Sequence, residues 1–95
     1  MNPYFGNKEK EQSQENVLEQ ESHIFDLVLY NDDFNTFDWV IESLVEVCKH
    51  ESLQAEQCAF IVHFKGKCTV KSSDFETLEP MHRELSNRNL TVEIE

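Results

Sequence analysis

Basic residues are scarce in this chain, which carries 8 lysines and arginines against 19 aspartates and glutamates in 95 residues. Phosphate backbones are bound by lysine and arginine, so a formal net charge of −11 disfavours a nucleic-acid partner. The same charge disfavours an anionic membrane surface and favours cationic or basic partners. We therefore expect neither a nucleic acid nor a membrane among the partners of this protein.

Glycine and long apolar runs are equally scarce. The sequence holds only two glycines, Gly6 and Gly66, and so lacks the glycine-rich loop that cradles phosphate groups. No apolar run is long enough for a membrane span, and there is no basic segment followed by an apolar leader. We expect a soluble, cytoplasmic protein.

Disulfide and metal motifs are missing as well. Three cysteines are present, without a CxxC spacing: Cys48, Cys58 and Cys68. We interpret them as buried thiols in a reducing compartment. Together with His50, His63 and His82 they supply the residue types of a Cys–His nucleophile or a zinc site, but these histidines are spread over three predicted helices without a motif. We therefore expect no enzymatic activity and no cofactor.

A calcium loop is a further alternative. Asn31, Asp33, Asn35 and Glu42 fall at the first, third, fifth and twelfth positions of an EF-hand frame. The sixth position, where the sharp turn needs glycine, is Thr36, and a helix is predicted to begin directly afterwards. That helix would pull the ligands apart, so we interpret the match as a coincidence.

Composition divides the chain into two parts. Residues 1–22 consist mainly of glutamate, glutamine, asparagine, serine and lysine, which predicts a flexible acidic N-terminal extension. Residues 23–95 hold most of the aromatic and nearly all of the β-branched residues, so we expect them to form a single core domain near the lower size limit for independent folding.

Apolar periodicity predicts a strand and two helices in the first half of the core domain. Residues 24–30 are rich in branched and aromatic side chains, as in a strand. Asn35 or Thr36 is expected to cap the next helix, which ends near His50, and Ser52 is expected to cap a second helix.

The second half predicts a short strand over 68–70, a third helix and a final strand over 90–95. The segment 73–76 reads as a capping box for the third helix. Pro80 would then lie inside that helix, which either bends there or begins later, at Thr77. The order β-α-α-β-α-β predicts an α+β fold, a three-stranded antiparallel sheet with three helices on one face.

Polar side chains that suit a primary amine occur at two places. Asn31 and Asp32 lie where the first strand gives way to a helix, and His63 lies near the end of the second helix. An α-ammonium group has three N–H donors and a positive charge, so it needs three acceptors of which at least one is anionic. The Asn31 amide oxygen, the Asp32 carboxylate and a neutral His63 nitrogen supply this set if the second helix packs against the turn. We expect apolar neighbours to desolvate His63 and keep it neutral.

An apolar slot is expected beside these acceptors. Its predicted lining comes from both helices and the final strand, with Phe37 at the rim: Val40, Ala59, Val62 and Leu90. The short side chain of Ala59 leaves room for an aromatic or leucyl guest. The sequence thus suggests a site for a free amino terminus with a bulky first residue. The alternative is that the Asn-Asp-Asp segment is only a turn with a cap and that His63 is a satisfied core residue.

Three segments in this order resemble the ClpS family: Leu29–Phe34, Val62–Lys67 and the terminal Leu-Thr-Val-Glu strand. Members of that family are adaptor proteins that deliver N-degron substrates to the Clp AAA+ protease. The resemblance extends over about Phe25 to Glu95 and implies a non-catalytic domain that binds proteins whose first residue is Leu, Phe, Tyr or Trp.

The resemblance also implies roles for individual residues. Asn31, Asp32 and His63 match the positions that hold the α-amino group. Asn35 falls where many relatives carry threonine, and it offers a polar contact to the amino group or the first peptide unit. Phe37 replaces a methionine that often gates the pocket.

The apolar lining implied by the resemblance is Phe37, Val40, Ala59, Val62 and Leu90. Ala59 is smaller than the methionine that is common at its position, and Phe37 is larger, so one change can compensate for the other, and the resemblance leaves the order of preference among aromatic and leucyl residues open.

For the protease side, the resemblance implies that Phe34 and Glu76 contact the N-terminal domain of a ClpA- or ClpC-type unfoldase. Met81 stands where some relatives place a lysine for that contact. The segment before His23 resembles the flexible extension that the unfoldase engages during transfer of the substrate.

A non-catalytic interaction domain of the same architecture is the alternative, as in the C-terminal domain of the ribosomal stalk protein. Those domains present a basic helix to their partners, whereas this chain is acidic and carries the Asn-Asp-Asp turn. These two features favour the adaptor interpretation, because function lies in the site and not in the fold.

Overall fold

The structure, a computed structural model, describes residues 23–95, so the predicted extension over 1–22 lies outside the described residues. The predicted order β-α-α-β-α-β and the α+β class are confirmed. The elements are β1 (Phe25–Tyr30), α1 (Phe37–Cys48), α2 (Ser52–Lys65), β2 (Lys67–Ser73), α3 (Phe75–Asn87) and β3 (Thr91–Ile94).

The strands form one antiparallel sheet in the order β2-β1-β3. β1 is the central strand because it is the most apolar of the three. Its last residue, Tyr30, lies opposite Lys67 of β2 and Thr91 of β3. The register with β2 shifts between Leu27 and Val28, where the ladder contains an irregularity.

The hydrophobic core lies between the sheet and the helices. β1 contributes Leu27 and Leu29, which point to the same face because side chains alternate along a strand. Fully buried leucines from α1 and α3 join them: Leu44, Leu78 and Leu85. This packing confirms the predicted sheet with its helical layer.

The structure decides between the two expected caps of α1 and contradicts the expected cap of α2. Thr36 rather than Asn35 caps α1, and its hydroxyl accepts a hydrogen bond from the Trp39 backbone N–H at 3.1 Å. Ser52 is the first residue of α2, and Glu51 occupies the N-cap position without a side-chain hydrogen bond. The prediction of Ser52 as a cap is therefore wrong.

The capping box predicted over 73–76 does not form. β2 continues to Ser73, and this serine is held in the ladder of the sheet. Asp74 caps α3 instead, and its carboxylate accepts a hydrogen bond from the Thr77 backbone N–H at 3.2 Å. Pro80 lies inside α3, which starts at Phe75 and not at the later position.

The end of α2 fixes where the next strand and the turn after β1 lie. Gly66 adopts a left-handed conformation with φ of 96°, and its N–H donates to the Val62 carbonyl at 2.9 Å. A residue with a Cβ is strained in that conformation. The Gly66 carbonyl accepts a hydrogen bond from the Asn31 N–H at 2.9 Å. This bond ties the Asn-Asp-Asp turn to the end of α2.

Candidate functional site

A cavity of about 440 Å³ opens between the end of β1, the start of α1 and the last turns of α2. This volume lies within the range of ordinary small-ligand pockets, about 300–1,000 Å³. The lining residues are Leu29, Tyr30, Asn31, Asp32, Asp33, Asn35, Phe37, Val40, Ala59, Val62 and His63.

The cavity brings together all of the predicted polar residues and most of the predicted apolar ones. Leu90 is the exception, because it is only 5% exposed and packs in the hydrophobic core. Sequence reasoning also missed Leu29, Tyr30 and Asp33 as lining residues. Their adjacency to Asn31 was the available signal, since the end of a strand and the turn after it share one side of a cavity.

The Asp32 carboxylate organises the turn. One of its oxygens accepts hydrogen bonds from the backbone N–H groups of Phe34 and Asn35, both at 2.8 Å, and the other accepts one from the Asn35 side-chain amide at 2.7 Å. Burial alone would raise the pKa of Asp32, but the hydrogen bonds from Asn35 and Phe34 outweigh it and lower that pKa. Asp32 therefore carries a negative charge at neutral pH.

A pH dependence of stability follows from this lowered pKa. A carboxylate whose pKa is lower in the folded state stabilises the fold above its unfolded pKa, and the contribution is lost as the pH falls through the folded value. We expect the wild type to lose stability relative to an Asp32→Asn variant as the pH falls below the ordinary aspartate value of 3.8. Urea midpoints at several pH values measure this, with Asp33→Asn as the neighbouring control. Parallel curves for the wild type and Asp32→Asn would contradict the assignment.

Asn35 connects the turn to the segment that precedes β3 at the same end of the sheet. Its side-chain amide donates to the Asp32 carboxylate and, at 2.9 Å, to the backbone carbonyl of Asn89. Because both amide hydrogens are engaged, the amide oxygen of Asn35 is left as an acceptor. Asn89 lies between α3 and β3 in a left-handed conformation with φ of 70°.

His63 lies at the solvent side of the cavity. Its ring meets the Phe37 ring edge-on, with centroids 5.3 Å apart, and the Phe64 ring in the same manner at 4.8 Å. The expectation that apolar neighbours desolvate His63 is wrong, because the residue is exposed in the last turns of α2 while Val62 beside it is buried. His63 thus lines the cavity with an imidazole that water also reaches.

The apolar side of the cavity is formed by α1 and α2. Ala59 and Val62 of α2 are buried, and Val40 of α1 is half-buried. Phe37 is 38% exposed, and its ring contacts Phe60 edge-on with centroids 5.1 Å apart. The cavity therefore has a short side chain within it and an aromatic ring at its mouth.

The two residues implied in unfoldase contact lie outside the cavity. Phe34 is 91% exposed at the tip of the turn, and Glu76 is exposed in the first turn of α3. Phe75, next to Glu76, is also exposed and meets Phe25 edge-on. Phe34 follows the last residue of β1, whereas Glu76 follows Ser73, the partner of the first residue of β1, so the two side chains are exposed at opposite ends of the sheet.

The thiols and histidines do not form a reactive cluster. Burial raises the pKa of Cys48 to about 11 and that of Cys58 to about 12, so both remain protonated at neutral pH. Over residues 23–95, no three His, Cys, Asp or Glu side chains are grouped so that they could hold a metal ion. No helix in that part of the chain is long and apolar enough to cross a membrane.

Comparisons with known proteins identify the fold and the family of this chain. Among solved structures, the chain is similar to Agrobacterium tumefaciens ClpS2 bound to L-phenylalaninamide, with a TM-score of 0.72 and 18% sequence identity, covering 76% of this chain and 94% of the other. A search of curated proteins finds no match. The family model of the ATP-dependent Clp protease adaptor protein ClpS matches residues 20–93. That match extends over most of the sequence and decides against the stalk-protein alternative, so the chain belongs to the ClpS family.

Proposed function

We propose that this protein binds the free amino terminus of substrates with a bulky hydrophobic first residue and delivers them to a Clp AAA+ unfoldase for degradation. One observation carries the proposal. A single cavity combines the acceptors of Asn31, Asp32 and His63 with an apolar wall that includes Ala59 and Val62. A ligand that fills it must offer donors and a positive charge at one end and a large apolar group at the other.

The polar end of the cavity suits an ammonium group. Asp32 supplies the negative charge, and an ionised carboxylate has about four acceptor positions. The turn uses three of these positions, which leaves one on Oδ2, the oxygen that accepts the hydrogen bond from the Asn35 side-chain amide. The Asn31 amide oxygen and an imidazole nitrogen of His63 complete a set of three acceptors for the three N–H donors.

The apolar end suits an aromatic or leucyl side chain. Ala59 occupies little space, and Phe37 closes the mouth from the other side, so we expect Leu, Phe, Tyr and Trp to be accepted as first residues. The ligand of the structurally similar ClpS2, L-phenylalaninamide, has this chemistry, since it joins a free amine to a phenyl side chain. That likeness supports the assignment of the cavity.

The partner on the protease side is proposed to be the N-terminal domain of a ClpA- or ClpC-type unfoldase, contacted through Phe34 and Glu76. Both side chains are exposed and lie outside the cavity, so substrate and unfoldase need not compete for them. The extension over 1–22 would be engaged during transfer. We propose that the protein acts without catalysis in the cytoplasm, where its unpaired cysteines stay reduced.

Titration of short fluorescent peptides tests this function. A peptide that begins with Phe or Leu and has a free amine is expected to bind with a micromolar or lower Kd, about −8 kcal/mol or better. Acetylation of the amine removes the charge and two of its three N–H donors, so acceptors that the bound peptide covers are left unpaired, and we expect a loss of more than about 1–3 kcal/mol. An alanine-first peptide should also bind weakly, since it leaves the apolar wall uncovered. Equal affinities for the free and acetylated Phe peptides would contradict the proposed function.

A further inference from the structure

Three phenylalanine rings lie side by side on the surface of α1 and α2. Phe37 meets Phe60 edge-on at 5.1 Å between centroids, and Phe60 stacks on Phe64 at 6.2 Å with an angle of 8° between the rings. The three side chains, which we call the aromatic row, are 38%, 45% and 74% exposed in that order. A contiguous exposed apolar surface of this kind marks an interaction site more often than an isolated apolar side chain does.

The aromatic row is not part of the packing that holds α2 in the fold. The core side of α2 is formed by its buried residues: Ala55, Cys58, Ala59 and Val62. Phe60 and Phe64 are four residues apart, so they lie on one face of the helix, and both are exposed. Their removal should therefore leave the core intact.

The aromatic row is continuous with the cavity. Phe37 belongs to both, because it lines the cavity and contacts Phe60. His63, which also lines the cavity, contacts Phe37 on one side and Phe64 on the other. The aromatic row therefore begins at the mouth of the cavity and offers a bound peptide chain a path out along Phe60 and Phe64.

The dimensions fit the residues that come next in such a peptide. An extended chain advances about 3.3 Å per residue, and its side chains alternate between two faces. The steps between neighbouring rings are 5.1 and 6.2 Å. Since neighbouring side chains point to opposite faces, either the second or the third side chain of a peptide on this path comes within reach of Phe60 and Phe64.

We propose that the aromatic row binds a large apolar side chain at the second or third position of the substrate, a specificity that rests on the proposed function of the cavity. Phenylalanine rings offer apolar surface and no strong hydrogen-bonding groups, so they select aromatic and aliphatic side chains over polar ones. The preferred substrates are then amino termini with two bulky apolar residues close together. An acidic second residue is disfavoured by the net charge of −11.

Peptides that share phenylalanine as first residue test this inference. With a free amine and Trp or Leu at position two or three, we expect roughly three- to tenfold tighter binding than with alanine at both positions. The double variant Phe60→Ala/Phe64→Ala is expected to erase this gain and to leave the affinity for the Phe-Ala-Ala peptide unchanged. Leu53→Ala is the matched control, because Leu53 is a 64% exposed apolar residue in the first turn of the same helix, and it should preserve both affinities.

Each contrary result has its own meaning. If all Phe-first peptides bind equally well, or the gain survives in the double variant, the inference is wrong and the proposed function stands. If the free-amine Phe-Ala-Ala peptide does not bind at all, the proposed function fails first. If sedimentation shows a dimer that the double variant dissociates, the aromatic row is a contact between two copies of the chain and the inference is overturned. The inference is also overturned if the double variant loses only its binding to the unfoldase N-terminal domain.

Discussion

Replacing Asp32 by alanine is expected to weaken the binding of a free-amine, Phe-first peptide by about 10- to 150-fold, about 1.5–3 kcal/mol. Two losses add in this variant. The ammonium group loses its only anionic acceptor in the proposed set, and the N–H groups of Phe34 and Asn35 lose theirs. The turn that aims the remaining acceptors is therefore loosened at the same time. Fluorescence anisotropy with the wild type and the variant measures the effect, and circular dichroism shows whether the fold is intact.

Two further variants separate charge from geometry. Asp32→Asn retains one oxygen for the backbone N–H groups but turns an NH2 group towards the Asn35 amide, which is held in place by Asn89. We expect it to lose most of the binding as well. Asp38→Ala removes one negative charge from the exposed first turn of α1 without touching the cavity, and it should bind normally. If Asp32→Ala binds as tightly as Asp38→Ala, Asp32 does not hold the amine.

Replacing Leu78 by alanine is expected to lower the free energy of unfolding by about 2–5 kcal/mol. Leu78 and Leu85 are the two buried residues of α3, and neither exposes any surface to solvent. The substitution leaves a void in the core at position 78 and so removes one of the two buried side chains that hold α3 in place. Since natural domains have a free energy of unfolding of only about 5–15 kcal/mol, this substitution is expected to remove a large part of it. Urea unfolding measures the change, as a lower midpoint with an unchanged slope.

The same experiment carries its own controls. Leu53→Ala makes the same chemical change at an exposed position and should alter the stability by no more than about 0.5 kcal/mol. α3 contributes no residue to the cavity, so the Leu78→Ala protein that remains folded should bind the Phe-first peptide with wild-type affinity. A small loss of stability at Leu78 would mean that α3 is anchored elsewhere.

The order of the elements could be predicted from the sequence because β1 is a short apolar run, apolar residues recur at helical spacing in α1, and Gly66 marks the end of α2. In α2 the apolar pattern is weak, since Phe60 and Phe64 are exposed while Ala59 and Val62 are buried. The full length of β2 could not be predicted in this way. Its apolar pattern ends at Val70, and the residues that follow are polar. Ser73 is nonetheless in the strand because it pairs with Phe25, a partner that is distant in sequence. This pairing across the sheet has no local signal in the sequence. Because it keeps Ser73 in β2, the N-cap of α3 is Asp74 and not Ser73.

The site was predictable to the extent that its residues follow one another in motifs. Asn31, Asp32 and His63 meet because a turn and a helix end are joined by the hydrogen bond to Gly66. The prediction that His63 is desolvated was wrong. Helical spacing indicates on which face of the helix a residue lies, but not whether the end of that helix extends beyond the elements packed against it. Leu90 lies in the core and not among the lining residues, since apolar character alone does not distinguish the wall of a cavity from the core behind it.

The hydrogen bonds around Asp32 have a consequence for the rate of complex formation. The carboxylate is already fixed by Phe34 and Asn35 before any guest arrives, and Asn35 is in turn anchored to Asn89. Pre-organisation of this kind reduces the conformational entropy that is lost on association. Capture of a substrate should therefore be limited by encounter and orientation rather than by rearrangement of the receptor, and changes in the guest should alter its residence time more than its rate of arrival.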